Sequence, residues 1–152
     1  MKALFWLALI IPIGGWGFVA DAKKARARLR DLTASLKDGQ VREVRIVTTA
    51  LVDFQEEEDE GAQYAFDLGD GTVVFVTGQD FYPTRSFPNS DFSLLYVHAP
   101  NGNLVDLHIT THGKPLAPIR TISAEAKRQL RIPDHLKRVE GSLGEIERVL
   151  AA

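Results

Sequence analysis

His98, Asp106 and His108 come nearest in this chain to a set of residues that could do chemistry, with His112 close behind them. Imidazoles and a carboxylate are legitimate ligands for zinc and similar ions, and neighbours on paired strands lie close enough to share one. A solvated strand face carrying a His98–Asp106 pair accounts for the same residues without an ion. They stand as the metal candidates of the sequence, and no metal or other cofactor is assigned. There is no cysteine, which excludes thiolate zinc sites, disulfides and a cysteine nucleophile. Gly69 and Gly71 read as turn residues rather than a phosphate loop, and no serine stands in a nucleophile elbow. No residue is given a catalytic role, and an enzyme is the less favoured class.

Strands must position these side chains. Leu95 and Val97 alternate with Tyr96 and His98, a turn around Asn101, Gly102 and Asn103 follows, and Val105, Leu107 and Ile109 alternate with Asp106, His108 and Thr110. That pattern predicts a hairpin pairing Val97 with Leu107 and Leu95 with Ile109 on an apolar face, and His98 with Asp106 and Tyr96 with His108 on a polar one. An earlier hairpin is signalled by Tyr64, Phe66 and Leu68, then Asp70 and Gly71, then Val73, Phe75 and Thr77. A two-residue turn pairs Leu68 with Val73, Phe66 with Phe75 and Tyr64 with Thr77, all on one face. Residues 41–49 read as a strand with Val44 and Ile46 turned inward. Between the hairpins, Phe81, Tyr82 and Phe87 mix with prolines in an ordered loop. Those rings offer a groove for a peptide or other ligand, or else cap an open end of the sheet. The acidic run Glu56, Glu57, Glu58, Asp59 and Glu60 reads as a solvated loop closed by Gly61. Ser123 predicts a short helix ending near Leu130, and Ser142 another over residues 143–150.

Upstream of all this, the eighteen residues from Ala3 to Ala20 carry no charge. As a helix they would extend about 27 Å, close to the roughly 30 Å of a hydrocarbon core. Ala20 and Ala22 flank Asp21 in the manner of a signal cleavage site. The run is longer than a typical signal core, however, and most of the positive charge follows it, so residues 1–20 read as an uncleaved anchor. Lys23, Lys24, Arg26, Arg28 and Arg30 come next. Their excess favours a cytoplasmic C-terminal side, and they form a candidate membrane-surface patch for anionic lipid. Ala25, Leu29, Leu32 and Leu36 recur at helical spacing, which makes residues 21–39 a basic helical stalk ending at Gly39. The net charge of -2 argues against a nucleic-acid partner.

The fold class expected is therefore α+β: a transmembrane helix over 1–20, a helical stalk over 21–39, and a small antiparallel β-sheet domain with short C-terminal helices over 40–152. The function expected is a membrane-anchored interaction or assembly module whose partners are lipid and a protein. By analogy of layout with bacterial proteins, it would be a single-pass signal-anchor protein of the inner membrane with its domain in the cytoplasm. The alternative is an exported soluble binding domain released by cleavage near Ala22.

Overall fold

The computed structural model describes Arg30 and residues 39–151. The expected anchor lies outside the described residues, as does the stalk, with Lys23, Lys24, Arg26 and Arg28, apart from an exposed Arg30 and Gly39. Among the described residues strand accounts for 43% and helix for 11%, which corrects the α+β expectation to a mostly β fold there. Beyond residue 39, beside a 3-10 turn at Gln79–Phe81, the described residues form two short helices, α1 (Ala124–Lys127) and α2 (Ile146–Leu150). No helix among the described residues is long and apolar enough to cross a membrane, so the transmembrane helix of the expected fold is not found there. The cause lies in the sequence beyond residue 40. Its β-branched and aromatic residues come in short runs closed by Gly, Asp and Pro, which suit pleated strands. The stretches between them are too short to repay helix nucleation.

Among the described residues eight strands result: β1 (Gln40–Val47), β2 (Leu51–Phe54), β3 (Ala62–Asp67), β4 (Thr72–Gly78), β5 (Asp91–His98), β6 (Leu104–Thr111), β7 (Arg120–Ile122) and β8 (Arg138–Glu140). They form a three-stranded sheet of order β1-β5-β6 and a five-stranded sheet of order β7-β2-β3-β4-β8. The single antiparallel sheet expected is thus replaced by two sheets, and the larger is mixed because β7 joins β2 in parallel, Asp53 opposite Thr121. By its contacts the chain divides into two compact units. One takes residues 39–42 and Tyr96–Leu107, and the other takes Glu43–Leu95 and residues 108–151.

In the larger unit the first hairpin forms where the sequence places it, but one residue out of register. Asp67 opposes Val73, Phe66 opposes Val74, and Ala65 opposes Phe75. The Leu68 N–H donates to the Thr72 carbonyl, so the loop holds three residues, Gly69, Asp70 and Gly71, and not two. Asp67 Oδ1 accepts the Gly69 N–H at 2.8 Å, and Asp70 Oδ1 accepts the Thr72 N–H at 3.0 Å. These side-chain turns fix the longer loop. The hydrophobic pattern could not resist the slip, because β3 and β4 are buried on both faces and either register hides the same rings.

Each face then has its own core. On one, Val52, Phe54, Ala65, Val73, Phe75 and Ile122 pack with Leu143, Ile146 and Leu150 from the C-terminal segment. On the other, Phe87 is the hub of an aromatic cluster, with ring centroids 5.9 Å from Tyr64, 6.3 Å from Phe66, 6.2 Å from Phe81 and 5.2 Å from Phe92.

The second hairpin also turns earlier than expected. The Ala99 N–H donates to the Asn103 carbonyl at 2.9 Å, enclosing Pro100, Asn101 and Gly102. On β5 it is Phe92, Leu94 and Tyr96 that are buried, while Leu95 and Val97 are half-buried, so Tyr96 does not lie on a solvated face. α1 carries the expected Ser123 cap, the hydroxyl accepting the Ala126 N–H at 3.3 Å, but its regular part stops at Lys127. α2 begins only at Ile146 and spends Ile146 and Leu150, one helical turn apart, on the core.

Candidate functional site

At one end of the five-stranded sheet the apolar face gives way to polar groups. Gln63 on β3 pairs with Thr77 on β4, and strand alternation sets them on the face of Ala65 and Phe75. The segment from α1 to His135 and the acidic residues Glu57 and Glu60 line the same place. Together they enclose a cleft of about 450 Å³ bordered by Gln63, Thr77, Lys127, Arg128, Asp134 and His135.

The acidic run is the solvated loop its sequence suggests, with Glu56, Glu58, Asp59 and Glu60 exposed, and Glu57 and Glu60 in addition border the cleft. Glu58 and Asp59 are exposed at positive φ (52° and 57°), and the bend they make turns their neighbours back onto the protein. Glu56 accepts the Tyr82 hydroxyl at 2.7 Å and the Gly61 N–H at 2.9 Å; the Tyr82 bond chiefly holds its carboxyl below the usual range. Glu57 pairs with Arg128 at 2.5 Å, and that hydrogen bond lowers the carboxyl pKa and raises the guanidinium's. Glu60 pairs with Lys127.

Lys127 is 5% exposed. Burial pushes its ammonium below the ordinary 10.5, against the pull of Glu57, Glu56 and Asp53. A buried ammonium needs its carboxylate, because removing one partner strands the other charge in a poorly solvating place.

His135 lines the cleft as well. Its Nδ1 accepts the Thr77 N–H at 3.1 Å, and its ring stacks on Phe81 at 4.9 Å. Burial holds its pKa below 6.5, with Asp80 pulling the other way. A neutral ring that accepts at Nδ1 carries its proton on Nε2. Gln63 completes the lining at 8% exposure, and its Oε1 is buried with no hydrogen-bond partner among the described residues. The cleft thus combines an ion-paired lysine, a neutral histidine and an unanswered acceptor, an arrangement suited to holding a ligand that donates hydrogen bonds.

No family model, curated protein or solved structure matches this chain. Its function therefore rests on the chemistry of its own residues.

The residues singled out by the sequence lie elsewhere. His98 is half-buried with its ring stacked on Tyr96 at 6.4 Å, while Asp106 and His108 are exposed. Among the described residues no three His, Asp or Glu side chains converge to hold a metal ion. His112 Nε2 lies 3.1 Å from the Ser93 hydroxyl. Phe81 and Phe87 meet in the aromatic cluster, both buried, whereas Tyr82 is exposed and turned to Glu56. Phe87 also borders a depression of about 280 Å³ that Tyr64, Asp53 and Pro83, Pro88, Pro115 and Pro118 help to line.

Tyr64 gives that second site a pH signature. Burial, with help from the Asp53 charge, pushes its phenol up to about 12. An unfolded chain releases this proton near the ordinary 10.0. The folded state therefore keeps its full stability below pH 10 and loses it as pH climbs towards the folded value, by about 3 kcal/mol at the upper end. Urea midpoints measured across this range should fall less in Tyr64→Phe than in the parent. Identical slopes in the two proteins would refute the assignment.

Proposed function

We propose that this chain is a membrane-attached assembly module that joins a second copy of itself through the edge of β1. The uncharged residues 3–20 and the basic residues that follow support attachment to a bilayer, with the β domain on the cytoplasmic side.

The observation that carries the reading is the contrast between sheet edges. The five-stranded sheet ends in β7 and β8, each only three residues long. Short edge strands are one of the devices that keep sheets from pairing with other chains. The three-stranded sheet ends in eight-residue strands, and along β1 six positions are exposed, with Val41 at 65% and Val47 at 57%. Among the described residues no strand pairs with the outer side of β1.

The β1 sequence complements itself. Antiparallel pairing centred on Val44 sets Val41 opposite Val47 and Glu43 opposite Arg45 of the second copy, twice each by symmetry. Confinement to a membrane raises the effective concentration at which such a modest interface forms.

The chain has no cysteine, so Val44→Cys introduces its only thiol. In isolated membranes, mild oxidation should convert the full-length variant, whose new thiol replaces a half-buried side chain at the centre of the pairing, largely to a disulfide-linked dimer, whereas Ile119→Cys, which is more exposed, should stay monomeric. Equal crosslinking of the two would remove β1 as the interface. Recovery of the full-length chain in the aqueous fraction would remove the membrane attachment. A mature product beginning at Lys23 would instead favour the exported domain suggested by Ala20 and Ala22.

A further inference from the structure

We infer that the cleft between α1 and the β3–β4 edge binds a small organic cation with several N–H donors, of the primary ammonium or guanidinium class. The cleft of about 450 Å³ has the capacity of a small-ligand site and lies wholly within the larger compact unit.

Its charge decides the class of ligand. Glu57, Glu60 and Asp134 outnumber Lys127 and Arg128 along the wall, and His135 is held towards its neutral form by burial. Both cations are already committed, Lys127 to Glu60 and Arg128 to Glu57, so an anion would have to break an existing pair to be recognised. The carboxylates are engaged through Oε1 in these pairs, and the Glu57 and Glu60 side chains remain 27% and 36% exposed.

Gln63 supplies the independent observation. It is more than nine-tenths buried, it lines the same cleft, and its Oε1 accepts no hydrogen bond among the described residues. A buried acceptor left unanswered is a cost that folding alone does not explain. A bound N–H donor removes that cost while its positive charge is met by Glu60 and Glu57.

The experiment uses the full-length chain in detergent micelles, with agmatine as the cationic probe and glutarate as the anionic one. Nuclear magnetic resonance reads the side-chain amide of Gln63, and calorimetry reads affinity. Agmatine should move the Gln63 resonance saturably. Gln63→Leu should weaken binding about tenfold or more while leaving the thermal midpoint unchanged or raised, since it deletes an unsatisfied group. Should that variant fail to fold, the wild-type resonance still decides. Glutarate binding in place of agmatine overturns the cationic class. A Gln63 resonance that neither probe moves means that water alone answers the acceptor, and the site is then dismissed.

Discussion

Phe87→Ala is expected to be among the most destabilising single substitutions in this protein. The ring sits among Tyr64, Phe66, Phe81 and Phe92, with every centroid within 6.3 Å. Truncation removes its own burial and leaves a void bounded by four stiff aromatic rings that cannot all move into it. The cost for such a site is about 3–5 kcal/mol, a large part of the 5–15 kcal/mol or so that holds a domain folded. For a chain of this size the melting temperature should fall by on the order of 10 °C. Phe87→Leu, which keeps most of the volume, should cost less than half as much. The check is a urea titration of both variants, in which midpoints move and slopes do not. A midpoint for Phe87→Ala within experimental error of the parent would show that the cluster is not a core. The sequence leaves these rings two uses, a ligand groove or a cap on the sheet. The large loss expected here belongs to the second use at Phe81 and Phe87, while exposed Tyr82 contributes through its bond to Glu56.

What the sequence discloses of this fold depends on how far apart the interacting residues stand. Turns are local, so Gly69, Asp70 and Gly71 mark the first hairpin, and Asn101 and Gly102 the second, without help from the rest of the chain. Register is not local. Asp67 caps the first loop from outside it, and the double burial of β3 removes the one-sided pattern by which a register is normally read. β2, β7 and β8 leave no mark in the sequence for a related reason. They are three or four residues long, below the length at which alternation can be recognised, and they exist because β3 and β4 offer them edges. The candidate cleft is the extreme case. Glu60 and Lys127 are 67 positions apart, and Glu57 and Arg128 are 71 apart. The one signal for them was a pair of matched opposites, an acidic run with no cations near it and a Lys-Arg pair behind a capped turn. Gln63 gave no signal at all, since in an alternating strand it reads as an ordinary solvent-facing residue.

Gly61→Ala is the second substitution expected to be severe, and it tests how the acidic wall is held. Gly61 has φ +84°, and a Cβ there would collide with the Gly78 carbonyl carbon and lie 2.5 Å from the Gln79 nitrogen. Both obstacles are backbone, so neither can rotate away. Gly69 and Gly71 have nearly the same φ, +76° and +82°, but face open space. Alanine at either of those positions should cost only the left-handed penalty of about 1–2 kcal/mol. At Gly61 the same penalty is joined by displacement of β3 from β4 at the Ala62–Gly78 pair. That movement carries Glu56 to Glu60 away from α1, and Lys127 then loses the carboxylate that makes its burial tolerable. Breaking a buried pair in this way costs about 3–5 kcal/mol. Gly61→Ala should therefore lower stability by at least 3 kcal/mol more than Gly69→Ala in matched urea titrations. Lys127→Met in the Gly61→Ala background should recover part of the loss, because an apolar side chain has no charge to strand. Similar losses at Gly61 and Gly69 would mean that the wall shifts freely and that the Lys127 pair follows it rather than anchoring it.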